Sequence, residues 1–262
     1  MIPKILHYCW LSDDPIPEKL QSYIDNWKKV MPDYTVKKWD FSIFDKQSSI
    51  WVSQAFDNKK YAFAADYIRL YAVYNEGGFY LDSDVEVLKS FDPFLHLKTM
   101  IGWEYNKIGL EIATFGAEKN QQWLGDCLEY YREKPFVNAN GTFNMKTLPL
   151  IIEETLKEKG YLLKDVHNVD EAISVNGTKE IPVFPTDYFS PKTFDGKINI
   201  TNNTVSIHHF AASWVNPYDN QSIIGKILVF LHLPPIGEIW HFFHLPDTNI
   251  RGRLFKKRKS TK

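Results

Sequence analysis

Asp82-Ser83-Asp84 sets two carboxylates one residue apart, directly after the apolar run Phe79-Tyr80-Leu81. Side chains alternate with period two along an extended chain, so both acids project to one side and can share a cation. Oxygen donors of this kind suit Mg²⁺ or Mn²⁺, which keep waters and accept substrate phosphates as further ligands. Asp66 and Arg69 stand three apart in the preceding segment. That spacing puts them on one helix face, where they can meet a common ligand or simply pair with each other. Trp10 ends an apolar run before a Pro-containing loop, a place for either an exposed stacking platform or an ordinary core aromatic. His208 and His209 are neighbours on a strand-like run, so they face opposite ways and at most one can join such a site.

These residues need a scaffold that gathers strand ends. Lys4 to Trp10 is short, apolar and closed by Leu11-Ser12-Asp13-Asp14-Pro15, which reads as a buried strand ending in a turn. Leu20, Ile24, Trp27 and Met31 then recur at helical spacing, and Thr35 to Trp39 reads as a second strand. Strand, helix, strand is the opening of a mainly parallel α/β sheet. From Lys60 to Glu76, Phe63, Ala64, Ile68, Tyr71 and Tyr74 define another helix face, and Gly77-Gly78 stops it before the strand that carries Asp82. Further strands are expected near Met100 to Trp103, Ile181 to Phe184 and Val205 to Phe210, with helices near Gln121 to Arg132 and Leu148 to Lys159. Ligands of open α/β sheets bind outside the carboxyl ends of the strands, which is where Asp82 and Trp10 would lie.

Bulk properties narrow the classes. The chain has 262 residues, 44% hydrophobic and 24% charged, as expected of a soluble globule rather than a disordered or membrane-spanning chain. A formal net charge of -1 gives no electrostatic case for binding nucleic acid. Cys9 and Cys127 lack C-x-x-C spacing and sit in apolar stretches, so reduced, buried thiols are expected. The start lacks the pattern of a secretory signal. We therefore expect a cytoplasmic protein with one domain over 1–217. Residues 218–262 form an extension of strongly apolar, aromatic-rich segments followed by a basic tail from Arg251 to Lys262. Either this extension is helical and packs on the domain, or it sits peripherally on the anionic inner face of a membrane.

The order Phe63-Ala64-Ala65-Asp66-Tyr67-Ile68-Arg69-Leu70, then Gly77-Gly78-Phe79-Tyr80-Leu81-Asp82-Ser83-Asp84, closely resembles the sugar-binding D-x-D region of glycosyltransferase family 32 and of the related clostridial glucosylating toxins. Pro3-Lys4-Ile5-Leu6-His7-Tyr8-Cys9-Trp10 and Pro32-Asp33-Tyr34 are similar to the bacterial, capsule-synthesis-type members. The resemblance implies a GT-A fold, a single Rossmann-like α/β domain. It also implies transfer of a hexosyl or N-acetylhexosaminyl unit, with retention at the anomeric carbon, from a nucleotide sugar, preferably a UDP-sugar. The acceptor would be a glycan or a lipid-linked molecule of surface polysaccharide synthesis. By the same resemblance Trp10 would stack on the donor base, Asp66 would bind sugar hydroxyls, and Arg69 would reach sugar and diphosphate. Asp82 would bridge ribose, sugar and metal, and Asp84 would ligate Mn²⁺ or Mg²⁺ directly. The segment Val205 to Trp214 is similar to the C-terminal His…Ser-Trp segment of these enzymes. On that likeness His208, ahead of His209, completes the metal site, and Ser213 and Trp214 cover the diphosphate.

No residue stands out as nucleophile or base. Glu104 could lie near an acceptor, though an acid there is more often solvated or a helix cap, and Thr142 and Asn144 read equally well as caps of a helix after Gly141. Two other functions share the D-x-D signature. One is a phosphatase using Asp82 as phosphoryl nucleophile, against which Glu86 stands where that chemistry has Thr or Val. The other is a catalytically silent sugar-binding scaffold, against which the joint presence of Asp66, Arg69, Asp82 and Asp84 argues.

Overall fold

The computed structural model describes residues 1–210 apart from 105, 106, 108, 176, 194 and 195. Ser213, Trp214 and the extension 218–262 lie outside the described residues.

The expected opening is present as β1 (Ile5–Cys9), α1 (Glu18–Val30) and β2 (Thr35–Trp39). α2 (Ile50–Asp57) follows, its first turn capped by the Ser49 hydroxyl accepting from Val52 N–H. α3 (Tyr61–Glu76) leads into β3 (Gly78–Leu81), β4 (Val85–Val87), β5 (Thr99–Trp103) and β6 (Leu110–Ala117). The remaining elements are α4 (Gln122–Glu129), α5 (Leu148–Glu158), β7 (Leu162–Asp165), α6 (Val169–Ser174), β8 (Glu180–Val183), α7 (Thr186–Phe189) and β9 (Ser206–His208).

The central sheet has the order β2-β1-β3-β6-β5. β1 is parallel to β2 and β3, β6 is antiparallel to both β3 and β5, and every strand but β6 therefore runs the same way. This is the mainly parallel α/β sheet expected from the sequence. Its side chains alternate between two cores: Tyr80, Ile112 and Phe115 join the cluster built on α2, α3 and α4, while Phe79, Leu81 and Ala113 join the one that includes Ile24 and Trp27 of α1. Burial on both faces is why β3 reads as an unbroken apolar run. Among the described residues, no helix is long and apolar enough to cross a membrane.

The α3–β3 junction is built for close approach. Gly77 and Gly78 take φ of 68° and 105°, and a Cβ on Gly78 would stand 2.7 Å from the Ile5 carbonyl oxygen. Only glycine adopts that backbone without strain and lets β3 lie against β1. Beside it, His7 joins three elements. The Trp39 indole N–H donates to His7 Nδ1 at 3.0 Å, so the ring proton sits on Nε2, which donates to the Gly77 carbonyl at 2.8 Å. Burial holds this imidazole below its ordinary pKa of 6.5. The unfolded chain thus binds a proton that the folded site refuses, and stability should fall as pH drops below about 6.5. His7→Ala should remove that dependence and cost ~2–4 kcal/mol, because it orphans the Trp39 donor and the Gly77 acceptor and leaves a cavity. Urea unfolding of both proteins between pH 5 and 8 measures this; parallel pH curves would contradict it.

Thr142 and Asn144 cap no helix, contrary to the sequence expectation. Asn138 N–H donates to Thr142 O, and Asn140 Oδ1 accepts from Thr142, closing a local turn, and the next helix begins only at Leu148. An Asx turn captured the hydroxyl that the sequence pattern assigned to a helix start. Cys9 and Cys127 are free thiols; Cys127 is buried as expected, whereas Cys9, at the end of β1, is only half-buried.

Candidate metal centre

The site lies at the carboxyl edge of the sheet. β6 runs antiparallel beside β3, with Leu81 opposite Thr114, and continues past the end of β3 along the D-x-D loop. Asp82 N–H donates to the Ala113 carbonyl at 2.8 Å, which fixes the first acid to β6. The chain then turns, Val85 N–H donating to Asp82 O at 3.0 Å, and enters β4. β4 pairs antiparallel with β9, Val85 opposite His208, and His209 N–H donates to the Asp84 carbonyl at 3.2 Å. A two-strand pairing across more than a hundred residues of sequence thus delivers an imidazole to the two acids.

Asp82, Asp84 and His208 each offer a ligand atom, and these atoms all lie within 4.8 Å of one another. His208 Nε2 is 3.7 Å from Asp84 Oδ2. Two carboxylates and an imidazole in that volume fit a divalent ion such as Mn²⁺, and the carboxylate pair also suits Mg²⁺. The electrostatics agree. Burial and then the neighbouring Asp84 raise the pKa of Asp82, against the pull of Arg69. Burial alone would depress His208, but Glu111, Asp84 and Asp82 outweigh it and raise the imidazole to about 10. His209 faces the other way: its Nε2 lies 2.8 Å from Glu86 Oε2 and its ring stacks on Tyr23 at 4.9 Å. The strand alternation expected from the sequence is resolved, with His208 on the acid side.

Arg69 organises the adjoining acids. It is buried on α3 and its guanidinium reaches Asp66 at 3.3 Å, Asp82 at 3.2 Å and the Ile112 carbonyl at 3.3 Å. It also lies over the Tyr80 ring, 4.8 Å from the centroid. Tyr80 and Asp82 share a face by strand alternation, and the phenol donates to Asp82 Oδ1 at 3.0 Å. Burial pushes Asp66 up to about 6, opposed by Arg69 and reinforced by Asp82. Trp10 stands at the same sheet edge one strand over, half-buried, its indole N–H donating to the Asp14 carbonyl at 2.8 Å. The structure therefore brings together Asp66, Arg69, Asp82, Asp84 and His208 and puts Trp10 on the same edge.

Two acids here escaped the sequence analysis or were misread by it. Glu111, on β6, is 2% exposed; its Oε1 accepts from Ala113 N–H at 2.8 Å, and it stands 3.3 Å from His208 Nδ1. The available signal was an acid inside an otherwise apolar strand. Glu104 is neither solvated nor a helix cap: it is buried, and burial together with Glu111 raises its pKa to about 8. Its backbone N–H donates to Gly109 O at 2.8 Å.

Fold and site together define an α/β domain with two carboxylates and an imidazole gathered at the carboxyl ends of its strands. Residues 17–101 match the family described as a glycosyltransferase sugar-binding region containing a DXD motif. That span holds Asp66, Arg69, Asp82 and Asp84 but neither Glu111 nor His208. Over 99 residues the chain is 35% identical to inositol phosphoceramide mannosyltransferase 3 of Schizosaccharomyces pombe, a match covering 36% of this chain and 28% of that protein. It is 32% identical over 99 residues to mannosyl phosphorylinositol ceramide synthase SUR1 of Saccharomyces cerevisiae, covering 36% of this chain and 26% of the relative. The chain thus spans well under half the length of these relatives. Among solved structures it is similar to the PaToxG glycosyltransferase, with 21% identity and a TM-score of 0.45, covering 60% of this chain and 69% of that one.

Proposed function

We propose that this chain is a metal-dependent, retaining glycosyltransferase of the GT-A type that takes a hexosyl unit from a nucleotide sugar to a glycan or lipid-linked acceptor. The observation that carries the proposal is the meeting of Asp82, Asp84 and His208 within 4.8 Å, beside the Arg69–Asp66 pair, in a chain whose residues 17–101 match a DXD sugar-binding region.

Asp84, His208 and Asp82 would hold Mn²⁺ or Mg²⁺, and a bound divalent ion would neutralise the charge growing on the departing nucleoside diphosphate. Asp66 is positioned by Arg69 to accept hydrogen bonds from sugar hydroxyls. Asp82, gripped by Arg69 and Tyr80, is set to meet the ribose and sugar, and Trp10 offers a ring face to the base. Attack by the acceptor hydroxyl on the anomeric carbon breaks the bond to phosphate, and the leaving phosphate oxygen takes the hydroxyl proton. On this route no protein base is required.

The test is release of nucleoside diphosphate from UDP-sugars and GDP-sugars with Mn²⁺, and again with EDTA. The mannosyl-transfer names of the relatives justify a mannose donor beside the UDP-sugars that the family resemblance implies. Metal-dependent release from at least one donor is expected. Hydrolysis of an aryl phosphate instead would establish the phosphatase, and metal-independent donor binding without turnover would establish the silent scaffold.

A further inference from the structure

His208 sits on a strand of three residues, β9, which pairs with β4 along its length. That pairing fixes the backbone, and the imidazole can carry a single proton on either nitrogen. Binding a cation through Nε2 requires the other tautomer, with the proton on Nδ1. The environment of Nδ1 is therefore as consequential as that of Nε2.

Nδ1 faces Glu111. One carboxylate oxygen is 3.3 Å away as an ion pair and the other 3.3 Å as a hydrogen-bond contact, while Nε2 looks toward Asp84. Glu111 is itself immobilised, buried in β6 with Oε1 accepting from Ala113 N–H at 2.8 Å. The same Ala113 accepts from Asp82 N–H through its carbonyl, at 2.8 Å. One backbone residue thus sets both the first acid of the D-x-D motif and the carboxylate behind the histidine. The Phe210 ring lies 3.9 Å from the imidazole, limiting its rotation from the face.

We propose that Glu111 is a positioning residue: it accepts the Nδ1 proton of His208, selects the tautomer whose Nε2 lone pair points at Asp84, and so completes the metal centre. The inference rests on the metal-centre reading of Asp82, Asp84 and His208. Glu111 itself touches neither metal nor substrate.

Glu111→Gln keeps size and hydrogen-bonding length. Its amide oxygen can still accept from Ala113 N–H, which turns the amide N–H toward Nδ1 and favours the wrong tautomer. The probe is Mn²⁺ alone, its free concentration read by electron paramagnetic resonance, with no turnover involved. Glu111→Gln should weaken Mn²⁺ binding about 10–100-fold. In a His208→Ala background the same change should add less than about twofold, because a residue acting through His208 has nothing left to orient. Unchanged affinity in the single variant, or an equal further loss in the double variant, would overturn the proposal. A measurement on the unaltered protein covers the case of a variant that does not fold. Long-range proton–nitrogen NMR of ¹⁵N-histidine protein with Mg²⁺ should show His208 protonated at Nδ1, and protonation at Nε2 would refute the role. Asp84→Asn separates the two levels. If it leaves Mn²⁺ affinity intact, the metal centre fails and Glu111 with it; if it abolishes binding while Glu111→Gln is silent, only the positioning role fails.

Discussion

Replacing Asp84 with Ala is expected to reduce donor turnover by about 10²–10³-fold, the usual consequence of losing one element of charge stabilisation at a departing oxyanion. Mn²⁺ affinity should fall in parallel, since one of the ligand atoms that meet within 4.8 Å is gone. Asp84 is the residue to test because it is the acid that meets the imidazole, its Oδ2 standing 3.7 Å from His208 Nε2. The Asp84 side chain is 12% exposed, and its charge works against Asp82, whose pKa it helps to raise. Deleting it relieves the repulsion on Asp82 but removes a counter-charge from His208; these effects oppose each other, so the metal-free melting temperature should stay within ~4 °C of wild type. Loss of turnover with preserved melting is the expected pair of results. Equal turnover in both proteins would remove the metal assignment.

The parts of this site that were legible in the sequence are those set by local rules. A strand before the acids, a helix face joining Asp66 to Arg69, and glycines between them follow from period two, period 3.6 and positive φ. β1, α1 and β2 are legible for the same reason. What escaped is governed by contacts distant in sequence. β6, the strand between β3 and β5, is buried at every position from Leu110 to Ala117. It therefore shows no alternation, and the acid at Glu111 breaks the apolar run that would have marked it. β4 has three residues, too few for any periodicity; β9 lies within the strand expected near Val205 to Phe210, but its pairing with β4 joins segments more than a hundred residues apart. Sequence spacing said that His208 and His209 must face opposite ways. Only the register Val85 opposite His208 says which one turns to the acids. Glu104 was misread because its burial comes from the fold of its neighbours, which a lone acid after a strand does not advertise. Ser49 before α2 was a readable cap left unused.

Arg69→Met should be the most destabilising single change at the site, about 3–5 kcal/mol, because it keeps the volume of the side chain but leaves buried carboxylates without their counter-charge. Asp66 and Asp82 both contact the guanidinium, at 3.3 and 3.2 Å, and Asp66 is driven up to about 6 even with Arg69 present to oppose it. Without that opposition its folded-state pKa must rise further above the ordinary value of 3.8. The sign of the pH dependence follows. A carboxyl that binds protons more tightly folded than unfolded contributes stability below its unfolded pKa and loses it as pH rises through the folded value. In the wild type this loss should be complete a little above pH 6; in Arg69→Met it should continue to higher pH. The gap between the two proteins in metal-free urea unfolding should therefore be smaller at pH 5 than at pH 8. Adding Asp66→Asn to Arg69→Met should recover part of the loss at pH 8 and little at pH 5, since the amide replaces a charge that matters only when ionised. A gap independent of pH, with no recovery from Asp66→Asn, would mean that Arg69 stabilises the fold by packing on Tyr80 rather than by holding the two acids.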